Sequence, residues 1–487
     1  MKKILTLLLV LCMMLPLAAC GNDGNTPAVT TGGNGSSGGN PTDEPSYLDQ
    51  LPVRDYDLEE FHVLCTSQTK NFYSVTEADK DPVSVSVYNR DMAVEERYNI
   101  VFKYTDLNGN RDGQDEFLTT LKNSVTMGSD GFDLVVGQNY YCLPVAAEGN
   151  LYDLASSPFL HWDEKWYSSK INDNAAIHGK IFGGSGSYIM SQISYAMATF
   201  YCKELFEARY PDTDLYEMVR EGEWTYEKLY EYTADVYNDT NPNYRRDDND
   251  DFGYVYNGHG IAASVAASET PITSLDDEGK LTVKNYYNDH LVDVFEKYSL
   301  FYNDSRGTYK AGTDYGPAEL LGRGRTIFAC AQLGALHDCA DLKNSELHFG
   351  VLPMPMLDTD QEEYYTYTMR WELFYIPTNA DFERSAIILE YLNYTTEKYV
   401  IPAYWDEALT LRAADTDQDS EMMYIVRDAL WYDFVTFFNH EIPMRDAVAN
   451  QISNGSTRFS SWWRTNGDTF EQNLKDTLEK YAAAGGN

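Results

Sequence analysis

Phe132-Asp133-Leu134-Val135-Val136 is the third of three short apolar runs that set the fold of the first part of this 487-residue chain. The other two are Phe61-His62-Val63-Leu64-Cys65 and Ile100-Val101-Phe102-Lys103-Tyr104. A helical segment around Met92–Tyr98 separates the first two runs, and the amphipathic segment Gln114–Met127 separates the second from the third. Strands that alternate with helices in this way predict a parallel sheet covered by helices.

Polar side chains follow the first and third runs, where a parallel sheet would end. They are Gln68 after the first run, and Gln138, Asn139 and Tyr140 after the third. Ligands of such sheets bind beyond the carboxyl ends of the strands, so we expect these four residues to contact a ligand. Amides and a phenol suit the recognition of hydroxyl groups, although a polar loop after a strand often serves only as a connection.

The N-terminus has the features of a secretory signal. Two lysines precede an almost wholly apolar stretch, which ends in Leu17-Ala18-Ala19-Cys20. The apolar stretch is shorter than the roughly 20 residues of a spanning helix. Its last four residues resemble the lipobox of bacterial lipoproteins, which implies cleavage after residue 19 and a lipid on Cys20. Residues 21–50 are rich in Gly, Asn, Ser, Thr and Pro, and this composition predicts a disordered tether. We therefore expect a chain that is anchored in the cell membrane through its lipid alone and faces outward.

Charge and composition narrow the possible partners. The chain has 76 acidic and 37 basic residues, for a net charge of −39, and such a surface repels nucleic acid and anionic lipid. A neutral or cationic ligand therefore fits better than an anionic one. Aromatic residues make up 14% of the chain and include 39 tyrosines, a content that suits stacking on sugar rings or, alternatively, the filling of a large core. The odd number of widely spaced cysteines after Cys20 argues against a disulfide framework and a zinc site.

Motifs farther along the chain resemble those of family 1 extracellular solute-binding proteins, the sugar-binding receptors of bacterial ABC importers. No one motif is specific by itself, and the resemblance rests on their order between about residue 60 and residue 440. The motifs are Gly179-Lys180-Ile181-Phe182, Ala198–Phe206, Glu223-Trp224-Thr225, Gly350-Val351-Leu352-Pro353-Met354-Pro355 and Pro402–Leu409.

This resemblance implies an α/β, two-lobed periplasmic-binding-protein-like fold of type II, with crossover hinges and a ligand cleft. Residues 51–155 and 371–440 would form lobe 1, residues 156–370 lobe 2, and residues 441–487 the C-terminal helices. It further implies a monomeric receptor that captures an oligosaccharide and delivers it to the permease subunits of an ABC importer, with no cofactor.

Four aromatic or acidic residues complete the predicted ligand site. Trp371 and Glu372 lie where the second crossover of the family enters lobe 1, so we expect Trp371 to stack on a sugar ring and Glu372 to accept hydroxyls. A core tryptophan beside a hinge-capping glutamate is the alternative. Tyr188 follows a Gly/Ser-rich stretch that would bring backbone close to a ligand, and Trp405 belongs to an aromatic and acidic cluster on the far rim.

Residues 239–250 show a degenerate resemblance to a calcium-binding loop. The oxygen ligands would come from Asp239, Asn241, Asn243, Asp247 and Asp250. The residue at the sharp turn is Tyr244 instead of glycine, so an acidic surface loop is the simpler interpretation.

Two other classes of function remain open at this point. The chain has no Gly-x-Ser-x-Gly, His-Glu-x-x-His or P-loop motif, which argues against a hydrolase, so we predict a protein that is not an enzyme. The two-lobed fold also serves receptors for peptides and polyamines, and fold alone does not decide between them.

Overall fold

The computed structural model describes residues 51–75, 80–127, 131–410, 417–456 and 458–483. The predicted signal, the predicted lipidation site Cys20 and the tether at 21–50 lie outside the described residues. These three features therefore stay predictions.

The secondary structure alternates between strands and helices over most of the described chain. The strands are β1 (Glu59–Thr66), β2 (Ile100–Leu107), β3 (Leu134–Gln138), β4 (Met197–Cys202), β5 (Tyr237–Asn238), β6 (Asp251–Tyr256), β7 (Ser274–Leu275), β8 (Leu281–Thr282), β9 (Thr308–Lys310), β10 (Thr326–Gln332), β11 (Phe349–Leu352) and β12 (Glu372–Tyr375). The α-helices are α1 (Pro82–Tyr98), α2 (Gln114–Met127), α3 (Asn139–Ala146), α4 (Ser169–Ala175), α5 (Met190–Ser194), α6 (Lys203–Glu207), α7 (Leu215–Arg220), α8 (Tyr226–Thr233), α9 (Gly260–Ala267), α10 (Asp289–Ser299), α11 (Gly316–Gly322), α12 (Ala335–Asp338), α13 (Ala340–Lys343), α14 (Phe382–Thr395), α15 (Ile401–Thr410), α16 (Asp417–Asp428), α17 (Phe434–Phe437), α18 (Ala447–Ser453) and α19 (Phe459–Ala483).

The first sheet contains the three predicted strands. Its order is β12-β3-β1-β2, with β1 parallel to β2 and β3, and β12 antiparallel to β3. Helix α1 begins where the Asp81 side chain accepts a hydrogen bond from the Ser84 amide at 2.8 Å, and it ends at Asn99 in the left-handed conformation. The predicted alternation of strands and helices in residues 61–136 is therefore confirmed.

The second sheet is larger and mixed. Its order is β11-β4-β10-β6-β5, with β9 paired to β6. Strand β4 lies antiparallel to both β10 and β11, whereas β6, β9 and β10 run parallel to one another. Every residue of β4 and β10 is buried, which explains why these strands are continuous apolar runs instead of alternating ones.

Two crossovers join the sheets and pair with each other. The Met197 amide donates to the Tyr367 carbonyl at 2.8 Å, and the Met369 amide donates to the Tyr195 carbonyl at 3.0 Å. This pairing is antiparallel and is centred on Ala196. These two crossovers therefore form one hydrogen-bonded pair, called the hinge below.

The chain leaves the first sheet later than the predicted boundary at residue 156. Gly184 forms both backbone hydrogen bonds with Phe374 of β12, at 3.0 and 2.9 Å, so residues just before α5 still extend the first sheet. The return segment predicted for lobe 1 is also divided, because α16 packs against β11 of the second sheet. Long-range pairing, which local patterns do not reveal, accounts for both differences.

Candidate functional site

The parallel strands of both sheets end near the hinge. In the first sheet β1 ends at Thr66 and β3 at Gln138, and in the second sheet β6 ends at Tyr256 and β10 at Gln332. Open α/β sheets bind ligands beyond such carboxyl ends. The space between these two edges is therefore the candidate site, called the cleft below.

Tyr195, half-buried in the first crossover, lies where charges from the two sheets meet. Burial raises the pKa of its phenol, the positive charge of Arg370 lowers it, and the negative charges of Glu372, Asp338 and Asp314 raise it. Arg370 and Glu372 lie at the start of β12 in the first sheet, whereas Asp314 and Asp338 follow β9 and β10 of the second. The side chains of both sheets thus converge on one phenol.

An aromatic pair covered by an arginine lies in the second crossover and lines a separate small cavity. Trp371 is 7% exposed and packs edge-on to Tyr367, with 5.4 Å between ring centroids. The guanidinium carbon of Arg445 lies 3.6 Å from the Trp371 ring centroid, and its Nη2 donates to Asp446 Oδ2 at 2.7 Å. His259 Nδ1 lies 3.4 Å from the Tyr367 hydroxyl oxygen, and burial lowers the pKa of this imidazole.

The wall on the side of the first sheet is cationic around Tyr140. Burial raises the pKa of the Tyr140 phenol, and the positive charges of Arg111, Arg370 and Arg445 lower it. Arg370 Nη1 donates to Asn110 Oδ1 at 3.1 Å. The positive charges of three guanidinium groups therefore act on a half-buried phenol in a strongly acidic protein.

The wall on the side of the second sheet is acidic. The Tyr315 hydroxyl donates to Asp338 Oδ2 at 3.0 Å, and Asp314 is exposed nearby in the chain. A cavity of about 290 Å³ opens between this wall and the first sheet, and its lining includes Gln68, Tyr195 and Asp338. Its size is at the lower end of the roughly 300–1,000 Å³ of small-molecule sites.

The structure separates the four residues predicted after β1 and β3. The charges of the cleft arginines act on Tyr140. Gln68 lines the cavity, and its Nε2 donates to Asn108 Oδ1, in the loop after β2, at 2.8 Å. Gln138 and Asn139 are buried, at 4% and 0% exposed. Gln138 Oε1 accepts from the Trp371 amide at 3.2 Å, and the Asn139 side chain donates to a backbone carbonyl, so both amides fasten β3 to its neighbours.

Glu372 is an internal acceptor in the described conformation. Its carboxylate accepts from the Thr66 hydroxyl at 2.6 Å and the Thr69 hydroxyl at 2.9 Å, and Arg370 Nε lies 3.4 Å away. Glu372 is 0% exposed. It therefore ties the end of β1 to β12.

Tyr188 and Trp405 are buried among other aromatic rings. Tyr188 is 0% exposed and packs against Tyr73, with 5.2 Å between ring centroids. Trp405 is 2% exposed and packs edge-on to Tyr404 at 5.3 Å. Both rings were expected to contact ligand, but core packing accounts for them, because aromatic rings bury large apolar areas.

Hydrogen bonds within the loop at 239–250 engage several of the predicted calcium ligands, whereas Asp239 Oδ1 and Asn241 Oδ1 are buried without a hydrogen-bond partner among the described residues. The Asp247 carboxylate accepts hydrogen bonds from the side chains of Asn241, Asn243 and Asn249 at 2.7–3.3 Å, and Asp250 is buried beneath Tyr237. In the described part of the chain, no group of three or more His, Cys, Asp and Glu side chains could hold a metal ion.

Sequence patterns missed the wall on the side of the second sheet and the arginines. His259, Asp314 and Asp338 follow β6, β9 and β10, so the rule that selected Gln68 would have found them once those strands were assigned. Arg445 had no such signal, since it reaches Trp371 only through the fold of the C-terminal segment.

Three solved structures of similar fold were determined with an oligosaccharide or acarbose bound. The GacH receptor of Streptomyces glaucescens, solved unliganded and with acarbose, is 15% identical, with a TM-score of 0.54 over 86% of this chain and 99% of its own. A cyclo/maltodextrin-binding protein in complex with maltotetraose is 14% identical, with a TM-score of 0.52 over 87% of this chain and 97% of its own. An ABC substrate-binding protein of Listeria monocytogenes in complex with cycloalternan is 12% identical, with a TM-score of 0.50 over 87% and 98%. The predicted two-lobed α/β fold is confirmed.

No protein-family model matches the chain, and no curated protein matches it. Among the described helices, none combines the length and the apolar character that crossing a membrane requires.

Proposed function

We propose that this protein is an extracellular solute-binding receptor that captures an oligosaccharide between its lobes and delivers it to the permease of an ABC importer. The observation that carries the proposal is the cleft, in which the rings of Tyr140, Tyr195 and Tyr315 converge with carboxylates and guanidinium groups. Ring faces stack on sugar rings while charged groups bind hydroxyls. The ligands named for the solved neighbours, acarbose, maltotetraose and cycloalternan, support a carbohydrate.

Capture would work by closure about the paired crossovers. A ligand that contacts Tyr140 on one wall and Asp338 on the other makes both sets of contacts only when the lobes are closed. Binding therefore shifts the population toward the closed form, and the closed form is the one that a permease would recognise. Cys20 would carry the lipid and residues 21–50 would form the tether that holds the receptor at the outer face of the membrane.

Of the residues expected from the sequence, Gln68, Tyr140 and Trp371 remain in the proposed ligand site. Tyr195, Tyr315, Asp314, Asp338, His259 and Tyr367 join them. We propose a receptor that leaves its ligand chemically unchanged.

Calorimetry with the purified protein tests the receptor directly. Malto-, manno-, cello- and xylo-oligosaccharides would be titrated beside peptides and polyamines, and chromatography of the recovered glycans would detect turnover. We expect binding of at least one glycan without turnover, weakened by Tyr140→Ala and unaffected by the exposed control Tyr399→Ala. Binding of peptides or polyamines alone would contradict a glycan receptor, and turnover would indicate an enzyme.

Scattering in solution tests the closure. The radius of gyration should fall when a saturating glycan is added, because the two lobes approach each other. An unchanged radius with bound glycan would contradict capture by closure while leaving glycan binding intact.

A further inference from the structure

We propose that the glycan carries a carboxylate, so that the ligand contains a uronic acid ring whose acid group is received by Arg111, Arg370 and Tyr140. This inference rests on the proposed function and specifies its substrate class. These three side chains are called the anion corner below.

Arg370 supplies a donor that nothing in the described chain accepts. The residue is 8% exposed, its Nη1 donates to Asn110 Oδ1 at 3.1 Å, and its Nε lies 3.4 Å from Glu372 Oε1. Its Nη2 is buried and has no hydrogen-bond acceptor among the described residues. A buried donor without an acceptor costs free energy, and it costs more when the donor is charged. An acceptor on the ligand would remove that cost.

Arg111 supplies a charge that the described residues do not neutralise. It is exposed, and no described carboxylate lies within ion-pair distance of it. The charge of Arg445, by contrast, is matched by Asp446 at 2.7 Å, and that of Glu372 by Arg370. The anion corner therefore keeps a net charge of about +1. The planar guanidinium groups that carry it can bind a carboxylate through two parallel hydrogen bonds.

The opposite wall limits how many acid groups the ligand carries. Asp314 and Asp338 follow β9 and β10 of the second sheet, whereas Arg370 of the anion corner precedes β12 of the first, and the charges of all three act on Tyr195. Carboxylates on this wall accept sugar hydroxyls but repel a second acid group. The arrangement thus fits a short glycan with its acid at one end and neutral rings at the other.

The net charge of −39 predicted a neutral or cationic ligand, and the anion corner revises that expectation. Exposed charges farther apart than about 8 Å are largely screened at physiological salt. Contacts within the cleft therefore outweigh the distant surface in setting equilibrium affinity.

Matched pairs of acidic and neutral glycans test the inference by calorimetry on the purified protein. The acidic probes are glucuronic-acid-capped xylo-oligosaccharides and digalacturonate, and the neutral partner of each is its carboxyl-reduced product. Glucose 6-phosphate and galactose 1-phosphate separate a phosphate ester from a carboxylate. We expect at least one acidic glycan to bind about tenfold or more tightly than its reduced partner, as for one charge-assisted contact.

Arg111→Gln should abolish most of that preference, and Arg111→Lys should restore part of it. Arg209→Gln removes an equally exposed arginine from the second sheet's side and should have no effect on binding. The melting temperature of Arg111→Gln should match that of the parent, because the side chain is exposed.

Each remaining outcome is decisive. Equal affinity for acidic and reduced glycans would overturn the anion corner and leave the glycan receptor standing. If the sugar phosphates bind and the uronates do not, the anionic group of the ligand is a phosphate, and the proposed carboxylate is wrong. Failure of every acidic and neutral glycan to bind would overturn the proposed function together with this inference.

Discussion

His337 makes a contact between the lobes that acid should weaken. Its ring lies 4.1 Å from the Tyr404 ring, centroid to centroid. His337 belongs to α12, which follows β10 of the second sheet, whereas Tyr404 belongs to α15, which packs against α1 beside the first sheet. Burial, with a smaller contribution from the positive charge of Lys343 and opposed by Asp81, lowers the pKa of His337 to about 4.

The size of the acid effect follows from that shift. An unfolded histidine has a pKa of about 6.5, so at pH values between about 6.5 and 4 the unfolded chain binds a proton that the folded chain does not. The stability that the neutral ring contributes is complete above about pH 6.5 and falls by about 1.4 kcal/mol per pH unit below it. At about pH 5 the loss from this residue is about 2 kcal/mol.

Urea denaturation at about pH 7 and about pH 5 measures this loss, with His337→Phe as the matched variant. Phenylalanine keeps a ring against Tyr404 but takes no proton, so all other titrating groups contribute equally to both proteins. The parent should lose about 2 kcal/mol more than the variant between the two pH values. Equal losses would refute the reasoning, because they would show that His337 is free to protonate in the folded protein.

Three further changes test the site and the fold. Glu372→Ala removes the acceptor of two buried threonine hydroxyls and the partner of Arg370. The free energy of unfolding, measured by urea denaturation, should therefore fall by about 3–5 kcal/mol. The exposed control Glu223→Ala should change it by less than about 0.5 kcal/mol. Trp371→Leu should weaken glycan binding about tenfold, equivalent to about 1.4 kcal/mol, in calorimetry at unchanged stoichiometry, and undiminished affinity would remove this indole from the ligand site. A chelator should leave the melting temperature unchanged, because asparagine side chains already donate hydrogen bonds to Asp247. A fall of several degrees would indicate that the loop at 239–250 binds a cation.

Local patterns predicted the elements of the first sheet because those elements depend on local periodicity. The three apolar runs became strands, and α2 has the predicted bounds Gln114–Met127. Asp381 likewise caps α14, accepting from the Arg384 amide at 3.1 Å. Each of these features is fixed by residues within one or two helical turns of each other.

The site was only partly predictable because its side chains are selected by distant partners. Gln138, Asn139 and Tyr140 are consecutive, yet the start of α3 directs only Tyr140 to the arginines, while β12 takes up Gln138. The arginine over Trp371 comes from a segment beyond the second crossover. Aromatic residues such as Tyr188 carry the same sequence signal whether they line a cleft or fill a core.

Net charge and local charge act on different steps of binding. The charge of −39 repels an acidic glycan while it diffuses toward the protein, and added salt screens that repulsion and speeds encounter. The anion corner acts only on contact, where Arg370 is 8% exposed and salt screens it far less than the exposed Arg111. Increasing salt therefore raises the association rate constant of an acidic glycan and raises its dissociation rate constant mainly through Arg111. A neutral glycan lacks both effects, so the difference between the two glycans separates the charge of the whole surface from the charge of the cleft.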